Sequence, residues 1–170
     1  MGLDINFYKD AKLMTPPKGS DVKEWAEEQD FVYISAGIVE YSSLHFAHLP
    51  RLIEGAYQCE YVSDMPSRAY STYNRWRDNL AKFAGYGSAE NVWNNYKKGP
   101  FYELIHFSDC EGFITGDAVS KLHKDFSENK ERIFSLVLDN FGGEEFKSYY
   151  EKFAEGLEAI HGKSPIIWFL

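Results

Sequence analysis

Ser108, Asp109, Cys110, Glu111 and Gly112 bring two carboxylates, a thiol and a glycine together directly after an apolar stripe of Phe101, Leu104, Ile105 and Phe107. A cluster of this kind can serve cation binding, thiol chemistry or the shape of a turn. For calcium, Asp109, Glu111, Gly112 and Ile114 mimic the middle of an EF-hand loop, where a glycine at position 6 turns the chain and a hydrophobic residue follows at position 8. With Gly112 at position 6, position 1 falls on Phe107 and position 12 on Ala118, so the reading fails where the ion needs its carboxylates. For zinc, Cys110, His106, His123 and one carboxylate would have to converge. Their spacings match no zinc signature, and a lone cysteine between hydrophobic flanks suits a buried position.

Nucleophilic use of Cys110 would need a depressed thiol pKa and a positioned base. His106 lies four residues earlier and would neighbour Cys110 only on a continuous helix, which Ser108 and Asp109 interrupt. What remains is a turn in which Ser108 or Asp109 bonds free backbone amides and Gly112 takes a conformation other residues resist. No metal and no cofactor are expected.

Residues 67–80, SRAYSTYNRWRDNL, concentrate Tyr70, Tyr73, Arg75, Trp76 and Arg77 in an otherwise acidic chain. Tyr, Trp and Arg dominate binding hot spots, so this helix is a candidate partner surface, although one of its faces must pack on the core. Arg77 or Arg75 would also be placed to reach the carboxylates of Asp109 or Glu111 through a charge-assisted hydrogen bond. His45 and His48, three apart, lack an adjoining carboxylate motif and suit packing or capping. Glycine-rich phosphate loops, GxSxG and CxxC are absent from the sequence.

The elements that must position these residues follow from periodicity. Leu3, Ile5 and Phe7 alternate with polar neighbours as in a half-buried strand. Asp21 is a natural N-cap for a short helix with Val22, Trp25 and Ala26. Residues 31–39 favour an extended segment bent at Gly37, and residues 50–57 a helix opened by Pro50. Residues 67–84 read as a helix stopped by Gly85, and Ser88 caps a shorter one reaching Tyr96. Phe101, Leu104 and Ile105 fit helix or strand. Asp117 starts a helix with a possible break near Asn129, and Phe146, Tyr149, Tyr150, Phe153, Leu157 and Ile160 form an amphipathic run closed by Gly162. The apolar end IIWFL is predicted to pair as a strand with residues 3–7. The expectation is one α+β domain over residues 1–170, mostly helical, with five or six helices on a small sheet that includes both termini.

With 170 residues, 44% hydrophobic and 17% aromatic, the chain has ample material for a core. A formal charge of −8 argues against a general affinity for nucleic acid or anionic membranes. Two cysteines, Cys59 and Cys110, suit free thiols in a reducing compartment, and no signal peptide, lipidation motif or transmembrane run is apparent, which points to the cytoplasm.

The opening MGLD before an alternating strand, the segment YSTYNRWRDNLAKFAGYGS and above all GPFYELIHFSDCEGFITGDAVSKLHKDF resemble a group of small proteins of bacteria and their phages. The resemblance covers most of the chain and is strongest between residues 67 and 126. Ser108, Asp109, Cys110, Glu111 and Gly112 match the group's Ser-Asp-Cys-Asp/Glu-Gly turn, whereas Phe107 stands where related sequences can carry a polar residue. The group has no established activity, so the resemblance implies no catalytic residue. It implies a bacterial or phage accessory protein that binds another protein. The leading expectation is therefore a non-enzymatic binding protein whose acidic charge suits a basic protein partner. The alternative is an enzyme or small-ligand-binding protein with a polar pocket between residues 67–84 and the turn 108–112, built from Arg77, His106, Asp109, Cys110 and Glu111.

Overall fold

The alternation that begins at Leu3 builds strand β1 (Ile5–Met14), which runs well past the predicted residue 8. The computed structural model describes residues 2–45, 49–66, 69–94, 99–107, 112–140 and 143–170, with backbone alone at 44, 45, 94 and 136–140. The apolar C-terminal segment forms β5 (Ile166–Phe169), all of it buried, because the sheet is covered on both faces there. It pairs antiparallel with β1 from Ile5↔Phe169 to Tyr8↔Ile166, and Asp4 and Leu170 exchange backbone hydrogen bonds of 3.1 and 3.0 Å. The predicted pairing of the two termini therefore holds.

Three further strands complete an antiparallel sheet in the order β2-β3-β1-β5-β4, with β2 at Val32–Ile34, β3 at Gly55–Asp64 and β4 at Gly112–Thr115. Alternation sorts the side chains to two faces. Ile5, Phe7, Ile114, Ile167 and Phe169 join the main core, while Tyr57, Phe113, Ile166 and Trp168 form a smaller one on the other side.

Seven helices are present among the described residues rather than five or six: α1 (Val22–Glu28), α2 (Ala36–His45), α3 (Tyr70–Phe83), α4 (Ala89–Asn94), α5 (Tyr102–His106), α6 (Asp117–Asn140) and α7 (Gly143–Ile160). Asp21 caps α1 as expected, its Oδ1 accepting from the amides of Lys23 and Glu24 at 2.9 and 3.0 Å. The added helix is α2, so the extended segment predicted over residues 31–39 holds only as β2 and the chain turns helical from Ala36. Ser35 supplies the overlooked cap, its Oγ accepting from the Ile38 amide at 3.3 Å.

The helix predicted after Pro50 is replaced by β3, because Gly55, Ala56 and Tyr57 pair with β2, and Ala56 and Tyr57 pair with β1 on the other side as well. That long-range pairing outweighs a weak local helical pattern. Beyond Tyr57, β3 keeps β1 on one side, but no strand pairs with the other edge of residues 58–64 among the described residues. The break considered near Asn129 does not occur. Its side-chain amide donates to the Asp125 carbonyl one turn earlier at 2.8 Å, and α6 continues.

Helix α7 lies against β1 through a close approach at Gly156. A Cβ there would fall 2.7 to 2.8 Å from three ring atoms of Phe7, which itself makes an edge contact with Phe153 at 5.2 Å. Gly156→Ala would ordinarily gain about 1 kcal/mol of helix propensity. Here the overlap reverses the sign, and we expect a net loss of about 1–3 kcal/mol, measured by urea denaturation. A variant more stable than wild type would show that Phe7 yields freely.

Candidate functional site

Helix α3 turns its aromatic and cationic residues in different directions from those a binding surface needs. Tyr73, Trp76 and Arg77 are buried at 0, 4 and 2% exposure, on the same face as Leu80 and Ala81. Three of the five residues expected on a partner surface are therefore core residues instead. Tyr70 is half-buried against that core, and Arg75 alone of the five is exposed, 3.4 Å from Glu145 of α7.

Arg77 is held by neutral groups among the described residues. One guanidinium nitrogen donates to the Phe107 carbonyl and another to Asn74 Oδ1 at 2.7 Å. The guanidinium carbon stands 5.2 Å from the Trp93 ring centroid and 5.5 Å from that of Tyr73. Arg77 therefore reaches the backbone that leads into the acidic turn. Asp109, Cys110 and Glu111, the carboxylates and thiol of that turn, lie outside the described residues together with Ser108. At its far end Gly112 has φ +125°, and a Cβ would meet Phe107 Cζ at 3.1 Å, so this position requires glycine in conformation and in space.

His106 is buried on α5 with its ring stacked on Tyr102 at 5.3 Å. Trp93 Nε1 donates to the neighbouring Ile105 carbonyl at 3.1 Å, tying α4 to α5. His45 ends α2, and its side chain, like all of His48, lies outside the description. The Cys59 thiol is pushed up to about 11 by burial, which keeps it protonated and poorly nucleophilic at neutral pH.

Two polar clusters were not anticipated. In the first, Lys121 Nζ donates to Glu103 Oε2 at 2.7 Å, Asp125 Oδ2 at 2.7 Å and the Gly99 carbonyl at 2.9 Å. Asp125 also accepts from the Phe101 amide at 2.8 Å. All three ammonium protons are engaged, so the cluster fastens α5 to α6 and leaves lysine no donor for a ligand.

The second cluster lies where the two ends of the α6–α7 hairpin meet. Contacts of Phe134 with Tyr150 and of Phe126 with Phe153 set the antiparallel register, which carries His123 to Glu158. His123 Nε2 is 2.5 Å from Glu158 Oε2, and the rings of His123 and His161 stack at 3.7 Å with 9° between planes. His161 Nδ1 is 3.1 Å from the Glu158 carbonyl oxygen. The hydrogen bond and charge of His123 hold the Glu158 carboxyl below its usual range. One donor atom from each of the three residues lies within 4.8 Å of the others. Next to them, a groove between α6 and α7 is lined by Ser127, Lys130, Glu151 and Glu155.

The sequence offers His123 as a zinc ligand with Cys110 and His106, whereas the structure places it beside Glu158 and His161. The Glu158-x-x-His161 spacing was the available signal, since residues three apart share a helical face. Without the hairpin register, nothing in the sequence joined that pair to His123.

No helix among the described residues is long and apolar enough to cross a membrane. The chain matches no protein-family model, no curated protein and no solved structure, so its features are read from its own geometry.

Proposed function

We propose that the protein is a non-enzymatic accessory protein of bacterial or phage origin that acts in the cytoplasm by binding another protein, and that the docking element is the open edge of β3. The observation that carries this reading is the mismatch of strand lengths, since β2 bonds only to Gly55, Ala56 and Tyr57 of the ten-residue β3. An unpaired edge presents backbone donors and acceptors that an extended segment can satisfy by adding a strand.

The charge on this edge selects the occupant. Glu60 and Asp64 are exposed, Tyr61 is 52% exposed, and the whole chain carries −8. Lys9 offsets Glu60 at 2.8 Å, and Asp64 accepts from the Tyr61 hydroxyl at 2.5 Å, but both carboxylates still face solvent. An extended basic segment of a partner protein fits this combination of open backbone and negative charge.

The test uses synthetic peptides alternating Lys with Val, compared with the same peptides carrying Glu in place of Lys. The basic series is expected to bind and to slow amide hydrogen exchange within residues 58–64. Glu60→Lys with Asp64→Lys should weaken it by about tenfold, from two exposed charge contacts of about 0.5–1 kcal/mol each. Equal binding of acidic and basic peptides, no binding of either, or protection elsewhere in the chain would overturn the assignment.

A further inference from the structure

We infer that His123, Glu158 and His161 form a site for a divalent transition-metal ion, with Zn²⁺ the ion that the donor set fits. Two imidazoles and one carboxylate are borderline and hard donors of the kind zinc accepts, and three protein ligands with a remaining open position are a recurrent zinc arrangement. Oxygen and nitrogen donors about 2.0–2.2 Å from zinc in a tetrahedron stand about 3.4 Å apart. The three donors here lie within 4.8 Å of one another, so shifts of little more than an ångström, including a widening of the 2.5 Å His123–Glu158 contact, complete the shell.

The side chains are free to make these shifts. Glu158 is 71% exposed on the last turn of α7, His123 is half-buried at the rim of the groove, and His161 is half-buried and stacked on it. The stacked imidazoles would turn about their side-chain torsions from parallel to convergent, exchanging the His123–Glu158 hydrogen bond for two bonds to the ion. Donation from His161 Nδ1 to the Glu158 carbonyl leaves the lone pair on Nε2, the tautomer that can ligate. The backbone contributes rigidity, because two of the ligands stand on packed helices whose register is set by buried aromatic rings nearby. Water fills the remaining position from the side of the groove.

Among the described residues, the other histidine and cysteine side chains do not share this arrangement. His106 is buried against Tyr102, and Cys59 is a protonated thiol in β3. This separates the site from the open edge of β3, so the two proposals fail or succeed independently.

The experiment titrates Zn²⁺ into the full-length protein against a chromophoric chelator, with Co²⁺ absorption reporting coordination geometry. Wild type should bind one equivalent, and Zn²⁺ should raise its Tm. His123→Ala, Glu158→Gln and His161→Ala should each weaken binding by about 100-fold, the upper end of what even outer-shell ligand support is worth. They should abolish the Tm shift while leaving the far-UV circular dichroism of the metal-free protein unchanged. Cys110→Ser and His106→Ala should bind as wild type. The proposal is overturned if wild type binds no more Zn²⁺ than the His123→Ala/His161→Ala double variant, or if binding survives that variant and is lost in Cys110→Ser. Should a single variant fold poorly, retention of one Zn²⁺ by the other two would likewise overturn it.

Discussion

Trp76→Ala is expected to cost about 3–5 kcal/mol of folding stability, the range for removing a large aromatic side chain from a packed core. The indole is 4% exposed and lies within 4.9 to 6.4 Å of the rings of Tyr73, Phe126, Phe146, Tyr149 and Phe153. Deleting it leaves a void bordered by three helices, α3, α6 and α7, none of which can collapse into the space without losing its own contacts. At this chain length each kcal/mol lowers Tm by about 2–4 °C, so the loss is readable by calorimetry or urea denaturation. Trp76→Phe separates packing from polarity. The buried indole N–H finds no acceptor among the described residues, and removing an unsatisfied donor returns part of the cavity cost. The phenylalanine variant should therefore lose less than half of what the alanine variant loses. A surface hot spot would behave differently, with Trp76→Ala within about 0.5 kcal/mol of wild type.

Arg77→Met is the second large effect, expected at about 2–4 kcal/mol from two lost hydrogen bonds to a charged group and a buried carbonyl left behind. The thioether chain fills much of the space of the arginine stem but offers nothing to the Phe107 carbonyl or Asn74 Oδ1. Arg77→Lys should recover only part of the loss, since a single ammonium cannot reproduce the planar fork that meets two acceptors and lies over the rings of Trp93 and Tyr73. Equilibrium denaturation measures both variants. Hydrogen exchange at Leu104 and Ile105, whose amides bond the Phe101 carbonyl, should quicken in Arg77→Met as α5 loses its tie to α3. A stability within 0.5 kcal/mol of wild type would show that the guanidinium is dispensable to this core.

These two residues also mark where reading the sequence and reading the fold part company. Tyr73, Trp76, Arg77 and Leu80 recur at helical spacing, so a helix over that stretch was legible. Which side of it meets the core was not, because Trp and Arg suit a hot spot and a buried stack equally well. The order of packing decided it: α6 and α7 bring Phe126, Phe146, Tyr149 and Phe153 to the same side, and the exposed remainder of α3 holds Arg75.

The sequence by itself determined whatever rests on neighbours along the chain. Alternation marked β1, the uninterrupted apolar run of Ile166, Ile167, Trp168 and Phe169 marked a pairing strand, Asp21 marked the start of α1, and the amphipathic run from Phe146 to Ile160 marked α7. Tertiary structure decided what rests on distant partners. Residues 55–57 became a strand because β2 pairs with all three and β1 with Ala56 and Tyr57. Among the described residues, the edge beyond them is left without a partner strand because β2 is only three residues long. His123 came to stand beside Glu158 and His161 because two long helices pack antiparallel in one register, set by aromatic contacts between Phe126 and Phe153 and between Phe134 and Tyr150. Local propensity acts through the backbone of a few residues, whereas a site assembled across a hairpin depends on burial summed over whole helices, and no short window of sequence carries that sum.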